Sequence, residues 1–311
     1  MAESNALATA PAPRFAETAR KDNWWIGPLS TFLGLMVFVV YATWAGTTGK
    51  NFEIRAVRGA EFSGHEVAPY LSPFYSPLIY DAQSPHAWIQ AAQPSWWPAV
   101  AVPDWWPGWL PWPFKFSAAA LILAGPALFR FTCYYYRKAY YRSFWADPVA
   151  CAVGEPRQSY LGENSLPLIL QNVHRYTMYI ATVFLVILWW DAFHSFWWPA
   201  DSAGKYLNGA HQFGMGLGSL VMLVNVAFLS AFTLGCNSVR HLLGGRLDCF
   251  SCPHAGPSSG QQRLGYKTWR LSTLFNEHHM LWAWLSLFSV GFTDFYIRMC
   301  SLGVFSDVRF F

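Results

Sequence analysis

Three of the chain's six cysteines and two of its nine histidines fall within nineteen residues. They are Cys236, His241, Cys249, Cys252 and His254. Thiolates and imidazoles are the side chains that hold zinc and iron–sulfur clusters. Cys249 and Cys252 form a C-x-x-C pair, a common ligand spacing. Gly244-Gly245 and Pro253 keep the segment from being one continuous helix, so it can fold back on itself. Taken singly, each residue also has a plainer reading, because free cysteine is a small buried hydrophobe and histidine caps helix ends. Taken together they predict a metal centre. A structural zinc held by Cys236, Cys249, Cys252 and either His241 or His254 would use the same residues. Cys236 and His241 stand five apart, and neighbours on one helix face are three or four apart. Either the helix unwinds between them or one of them is not a ligand.

The elements that must carry this segment belong in a bilayer. The 311 residues are 54% hydrophobic and 12% charged, with 18 Trp, whereas charged residues make up about a quarter of a soluble domain. The Trp and Tyr excess suits the headgroup level. A net charge of +4 scattered along the chain gives no footprint for nucleic acid. Six cysteines in so long a chain make no disulfide scaffold. Residues 1–22 lack the apolar core of a signal peptide, and residues 1–24 read as a disordered cytoplasmic tail.

The expected fold is an all-α integral membrane protein, a single domain over 25–305. Five spans lie at about 25–46, 114–134, 166–198, 206–239 and 273–299. Pro126 predicts a kink in the second. Gly214, Gly216 and Gly218 predict close helix packing in the fourth. The segment 47–112, rich in Trp and Pro, is an extracytoplasmic loop that either lies in the interface or folds as a cap. Residues 240–272 form a cytoplasmic Cys/His loop. With the N-terminus inside, inner segments hold thirteen Lys and Arg against six outside, which fits the positive-inside rule. The expected location is a bacterial plasma membrane.

This topology gathers His174, Cys236, His241, His278 and His279 at one inner level. Polar groups at such a depth are functional candidates. His194 and His211 form a second pair, near the other end of spans three and four. They read either as ordinary hydrogen-bonding residues or as axial ligands of haem b.

The runs Asn172-Val-His-Arg-Tyr176, Gly235-Cys-Asn-Ser-Val-Arg-His241 with Gly244-Gly245-Arg246, Asn276-Glu-His-His-Met280 and Thr293-Asp-Phe-Tyr296 with Arg298 resemble the five-helix membrane anchor of a bacterial succinate dehydrogenase class. The resemblance covers roughly residues 165–311 and implies a Rieske-type [2Fe–2S] cluster between an iron–sulfur subunit and quinone. It implies Cys236, His241 and His279 as cluster ligands, with Cys249 or Cys252 as the second thiolate. It implies flavoprotein and iron–sulfur subunits as partners. The basic inner surface that includes Arg137, Lys138, Arg142 and Arg246 is expected to dock the iron–sulfur subunit. The chain has no Gly-rich dinucleotide fingerprint, so flavin chemistry falls to those partners. His174, Arg175 and Tyr176 are the expected quinone contacts or proton suppliers.

Overall fold

The computed structural model describes residues 14–54, 69–82, 84, 86–92, 118–157, 162, 164–166, 168–199, 211–244 and 259–311, with residues 118–121, 211, 212 and 259–263 described by backbone alone. Eight helices are assigned over these residues: α1 (Ile26–Thr48), α2 (Ala118–Thr132), α3 (Tyr134–Phe144), α4 (His174–His194), α5 (Leu217–Leu234), α6 (Asn237–Gly244), α7 (Ser259–Glu277) and α8 (His279–Ser301). A 3-10 turn, Leu168–Val173, leads into α4, and two short antiparallel strands, β1 (Trp197–Pro199) and β2 (His211–Phe213), lie between α4 and α5.

Four stretches are long and apolar enough to cross a membrane: Ile26–Thr48, Leu168–His194, Leu217–Leu234 and His279–Ser301. The 23 residues of α1 extend roughly 34 Å, enough for a hydrocarbon core of about 30 Å. Their surfaces need lipid: Leu33, Val37, Val40, Val183, Val186 and Trp190 all stand exposed. The remaining expected span is represented by a shorter apolar helix, Ile122–Thr132.

Several boundaries differ from the sequence expectation, each for a local reason. The fourth span starts at Leu217 rather than at residue 206, because residues 211–213 pair with β1. It stops at Leu234 rather than running to residue 239. There the last carbonyls of α5 take partners from α7: Ser272 Oγ donates to Leu234 O at 2.7 Å and Asn276 Nδ2 donates to Gly235 O at 2.8 Å. Those side chains satisfy groups that a helix end leaves open. The fifth span is likewise divided, with α7 ending at Glu277 and α8 beginning at His279.

The chain divides into two compact units. The smaller holds residues up to Val37 together with Arg130–Val173. In it, residues 14–20 are tied down rather than forming a free tail: Ala16 N–H donates to Gly154 O at 2.8 Å, and Thr18 and Arg20 side chains donate to the carbonyls of Ala152 and Cys151.

The larger unit holds Phe38–Phe129 and His174–Phe311. Its core joins Leu185, Met222, Val226 and Ile297 with Tyr70 and Trp198. At the Arg298 end of α8, a buried ion pair joins Arg298 Nε to Asp294 Oδ2 at 2.7 Å. Tyr41 and Ser72 donate to the same carboxylate. Arg298 also donates to the carbonyls of Lys50 and Ala45. Nearby, Asp307 accepts from Tyr70, Tyr296 and the Gly218 amide. Gly216 and Gly218 stand against Tyr70 and Asp307. These glycines therefore admit a tyrosine and the C-terminal segment, not the neighbouring helix expected from the sequence.

Candidate redox site at the His279 end

Within the larger unit, α4 begins, α5 ends and α8 begins around one group of side chains. On α5, Phe228 and Phe232 stand four residues apart and so share a face. Cys236, just past the end of α5, is 3% exposed. Its Sγ lies 3.2 Å from Nε2 of the buried His174. Phe129 stacks on the His174 ring at 4.7 Å and meets Phe232 edge-on at 5.7 Å. Phe232 in turn stacks on His279 at 5.0 Å. A continuous run of rings therefore links the two imidazoles.

The break between α5 and α6 sets the chemistry of Cys236. Ser238 N–H, in the first turn of α6, donates to its sulfur at 3.4 Å. Burial pushes the thiol above its ordinary range, and the Ser238 amide pulls the other way. Without a metal the sulfur is thus a thiol near neutral pH; a bound metal would strip its proton.

One turn into α8, Trp282 packs near Phe228 and Phe275, with ring centroids 6.1 and 6.4 Å apart. Its indole Nε1–H is buried and has no hydrogen-bond partner among the described residues. Indole nitrogen can only donate, and a buried donor left open is costly. This group awaits an acceptor, three residues from His279.

The sequence candidates separate here. His174, Cys236 and His279 come together through direct contact and the two phenylalanine rings. Arg175 and Tyr176 are exposed, because each residue turns the helix by about 100° and His174 has taken the inward position. His241 is exposed on α6. Cys249, Cys252 and His254 lie outside the described residues. His211 lies on β2 opposite Pro199, not on a helix facing His194, while His194 meets His86 edge-on at 6.1 Å. The helix-facing-helix geometry expected for a haem is therefore absent from this pair.

Two comparisons place the chain. Residues 26–303 match the family described as Actinobacterial succinate dehydrogenase subunit SdhC. The chain belongs to this family. A chain of the Mycobacterium smegmatis Sdh1 complex in the apo form is similar over 99% of this chain and 98% of its own, at 36% identity and a TM-score of 0.72. No curated protein matches. As an SdhC-family member, the chain is a membrane subunit of a succinate dehydrogenase complex, and so part of an enzyme whose other subunits complete it.

A Rieske-type centre carries thiolates on one iron and imidazoles on the other. Ligands on different irons cannot touch each other across the cluster, so His174 in its contact with Cys236 is a hydrogen-bond partner, not a cluster imidazole. Among the described residues, no group of three or more His, Cys, Asp and Glu gathers to hold a metal ion. As arranged, the described side chains of this SdhC-family subunit do not compose that ligand set. Phe129 carried no signal of a site in the sequence. Phe232 stands four residues before Cys236 and Trp282 three beyond His279, and those helical spacings are the signal that could have pointed to both.

Proposed function

We propose that the subunit reduces quinone at the His279 end, taking electrons that a flavoprotein and an iron–sulfur subunit draw from succinate. The observation that carries this reading is the indole N–H of Trp282, buried without a partner among the described residues and one helical turn from His279 on α8. A quinone offers a flat ring for the aromatic side chains and carbonyl oxygens for donors. Trp282 would hold one carbonyl. His279 would supply a proton, since imidazole titrates near neutral pH. His174 would be oriented by Cys236 and Phe129 rather than meeting quinone beside Arg175 and Tyr176.

The test separates two activities of the assembled complex. Trp282→Phe keeps the ring and removes the donor. It should leave succinate oxidation with a soluble dye unchanged while lowering kcat/KM for quinone by roughly fivefold to tenfold, the worth of one hydrogen bond. Unchanged quinone kinetics would remove this residue, and the reading built on it, from the site.

The Rieske-type cluster belongs to the same proposal as a separate element. Buried Cys236 supports it, with His279 linked to it through His174, Phe129 and Phe232. Metal analysis and spectroscopy of the purified complex decide among the metals. A Rieske centre adds, beyond the iron–sulfur subunit's own clusters, a reduced [2Fe–2S] paramagnetic signal of the His-ligated type, haem b gives a Soret band, and a structural zinc gives neither but appears as bound zinc. The cytoplasmic placement of the N-terminus and the fifth span also belong to this proposal, supported by the Lys and Arg distribution.

A further inference from the structure

The smaller unit contains a cavity of about 1090 Å³ that the quinone reading does not use. One wall is a face of α3, where Tyr134, Arg137, Lys138, Tyr141 and Arg142 line it. Their spacing of i, i+3, i+4, i+7 and i+8 brings all five onto one side of the helix. The facing wall is the turn from Asp147 to Arg157. Among the described residues, four cations and two carboxylic acids line the space. Asp147 is engaged by Arg157 at 2.9 Å. Burial, and then the neighbouring Asp147 carboxylate, push Glu155 above its ordinary range. Arg137 lies over the Tyr134 ring at 4.7 Å, and Arg142 reaches the carbonyl of Val149.

The position of this cavity along the chain, next to an apolar helix shorter than the four candidate spans, favours a lipid occupant. α3 starts two residues after the apolar helix Ile122–Thr132 ends, which is where hydrocarbon gives way to headgroups. Phe131, Tyr134, Phe144 and Trp145 are exposed around it, as aromatic anchors are at that level. We propose that this cavity binds the headgroup of an anionic phospholipid. Arg137 and Arg142 present planar forks to phosphate oxygens and Lys138 adds a point charge. The tyrosine rings pack on the glycerol. The shape also matters: a cavity of this volume is the size of a small-molecule site, whereas a docked protein subunit covers a broad surface.

The test uses the whole complex, reconstituted in phosphatidylcholine bilayers with and without phosphatidylglycerol and read by native mass spectrometry for retained lipid. The wild-type complex should retain phosphatidylglycerol over phosphatidylcholine. Arg137→Gln/Lys138→Gln/Arg142→Gln should reduce that retention at least tenfold, while Arg137→Lys/Arg142→Lys, which keeps the charge, should preserve most of it. Inorganic phosphate at millimolar concentration should not displace the lipid. Equal retention by the glutamine variant overturns the proposal, as does displacement by phosphate, which would make this a free-anion site. Loss of the iron–sulfur subunit from the glutamine variant with lipid retention intact would assign the cations to protein docking and overturn it too. Failure of both variants to assemble would make the residues structural, with the same result.

Discussion

At the scale of single residues, Cys236 shows how environment decides chemistry. It is buried, with its sulfur between the His174 imidazole and the Ser238 amide, and burial holds its thiol above the ordinary range. Thiolate is the form that alkylates. Raising the pKa therefore withholds reactivity at neutral pH and releases it as pH rises. Iodoacetamide should modify the exposed Cys151 first. Cys236 should react slowly at neutral pH, with its half-maximal rate above about pH 8.5, the ordinary cysteine value. Peptide mapping across a pH series checks this. Protection of Cys236 at every pH would overturn titration as the control on its reactivity and leave its burial or a bound metal as the barrier.

At the scale of elements, α8 is held by the groups it buries. Arg298 and Asp294 are 2% and 0% exposed, and the pair joins α8 to the end of α1 and to Ser72. Arg298→Met removes one charge and leaves the other buried, which costs about 3–5 kcal/mol. The complex should lose thermal stability in a detergent-based unfolding assay. Asp294→Asn/Arg298→Met, with no charge left, should recover much of the loss; failure of the double variant to recover would mean that the hydrogen bonds, not the charges, carry the joint. The start of α5 depends on space instead. A side chain at Gly218 would run into the Tyr70 ring, so Gly218→Val should cost about 1–3 kcal/mol through overpacking. Gly218→Val/Tyr70→Ala should relieve that clash in the same assay.

At the scale of the whole molecule, exposed apolar helix surfaces require lipid, and family membership requires partner subunits. The proposed orientation rests on charge. With five spans and the N-terminus inside, thirteen Lys and Arg would face the cytoplasm against six outside, which predicts that a cysteine at Ser258, introduced in a background without reactive native thiols, reacts with an impermeant maleimide only after the cytoplasmic side is opened. Labelling in intact cells would invert the topology, and with it the side on which succinate-derived electrons arrive. Mild detergent extraction should recover the subunit together with a flavoprotein and an iron–sulfur protein. Stable recovery of the chain alone would contradict membership in a working complex.

Hydropathy is a local property, so the sequence by itself determined the membrane class, the positions of the apolar helices and the region where polar groups collect. The residues around Cys236 and His279 were legible for the same reason, since cysteine and histidine stand out in an apolar chain. Which of them meet was not legible. Arg175 and Tyr176 follow His174 directly, and the rotation of α4 about its own axis separates them. The end of α5 was invisible because Ser272 and Asn276, more than thirty residues later, receive its last carbonyls. That the N–H of Trp282 lacks an acceptor among the described residues shows only once their side chains are placed. Helix rotation, capping by distant side chains and hydrogen-bond satisfaction are set by contacts between segments, and only the tertiary structure decides those.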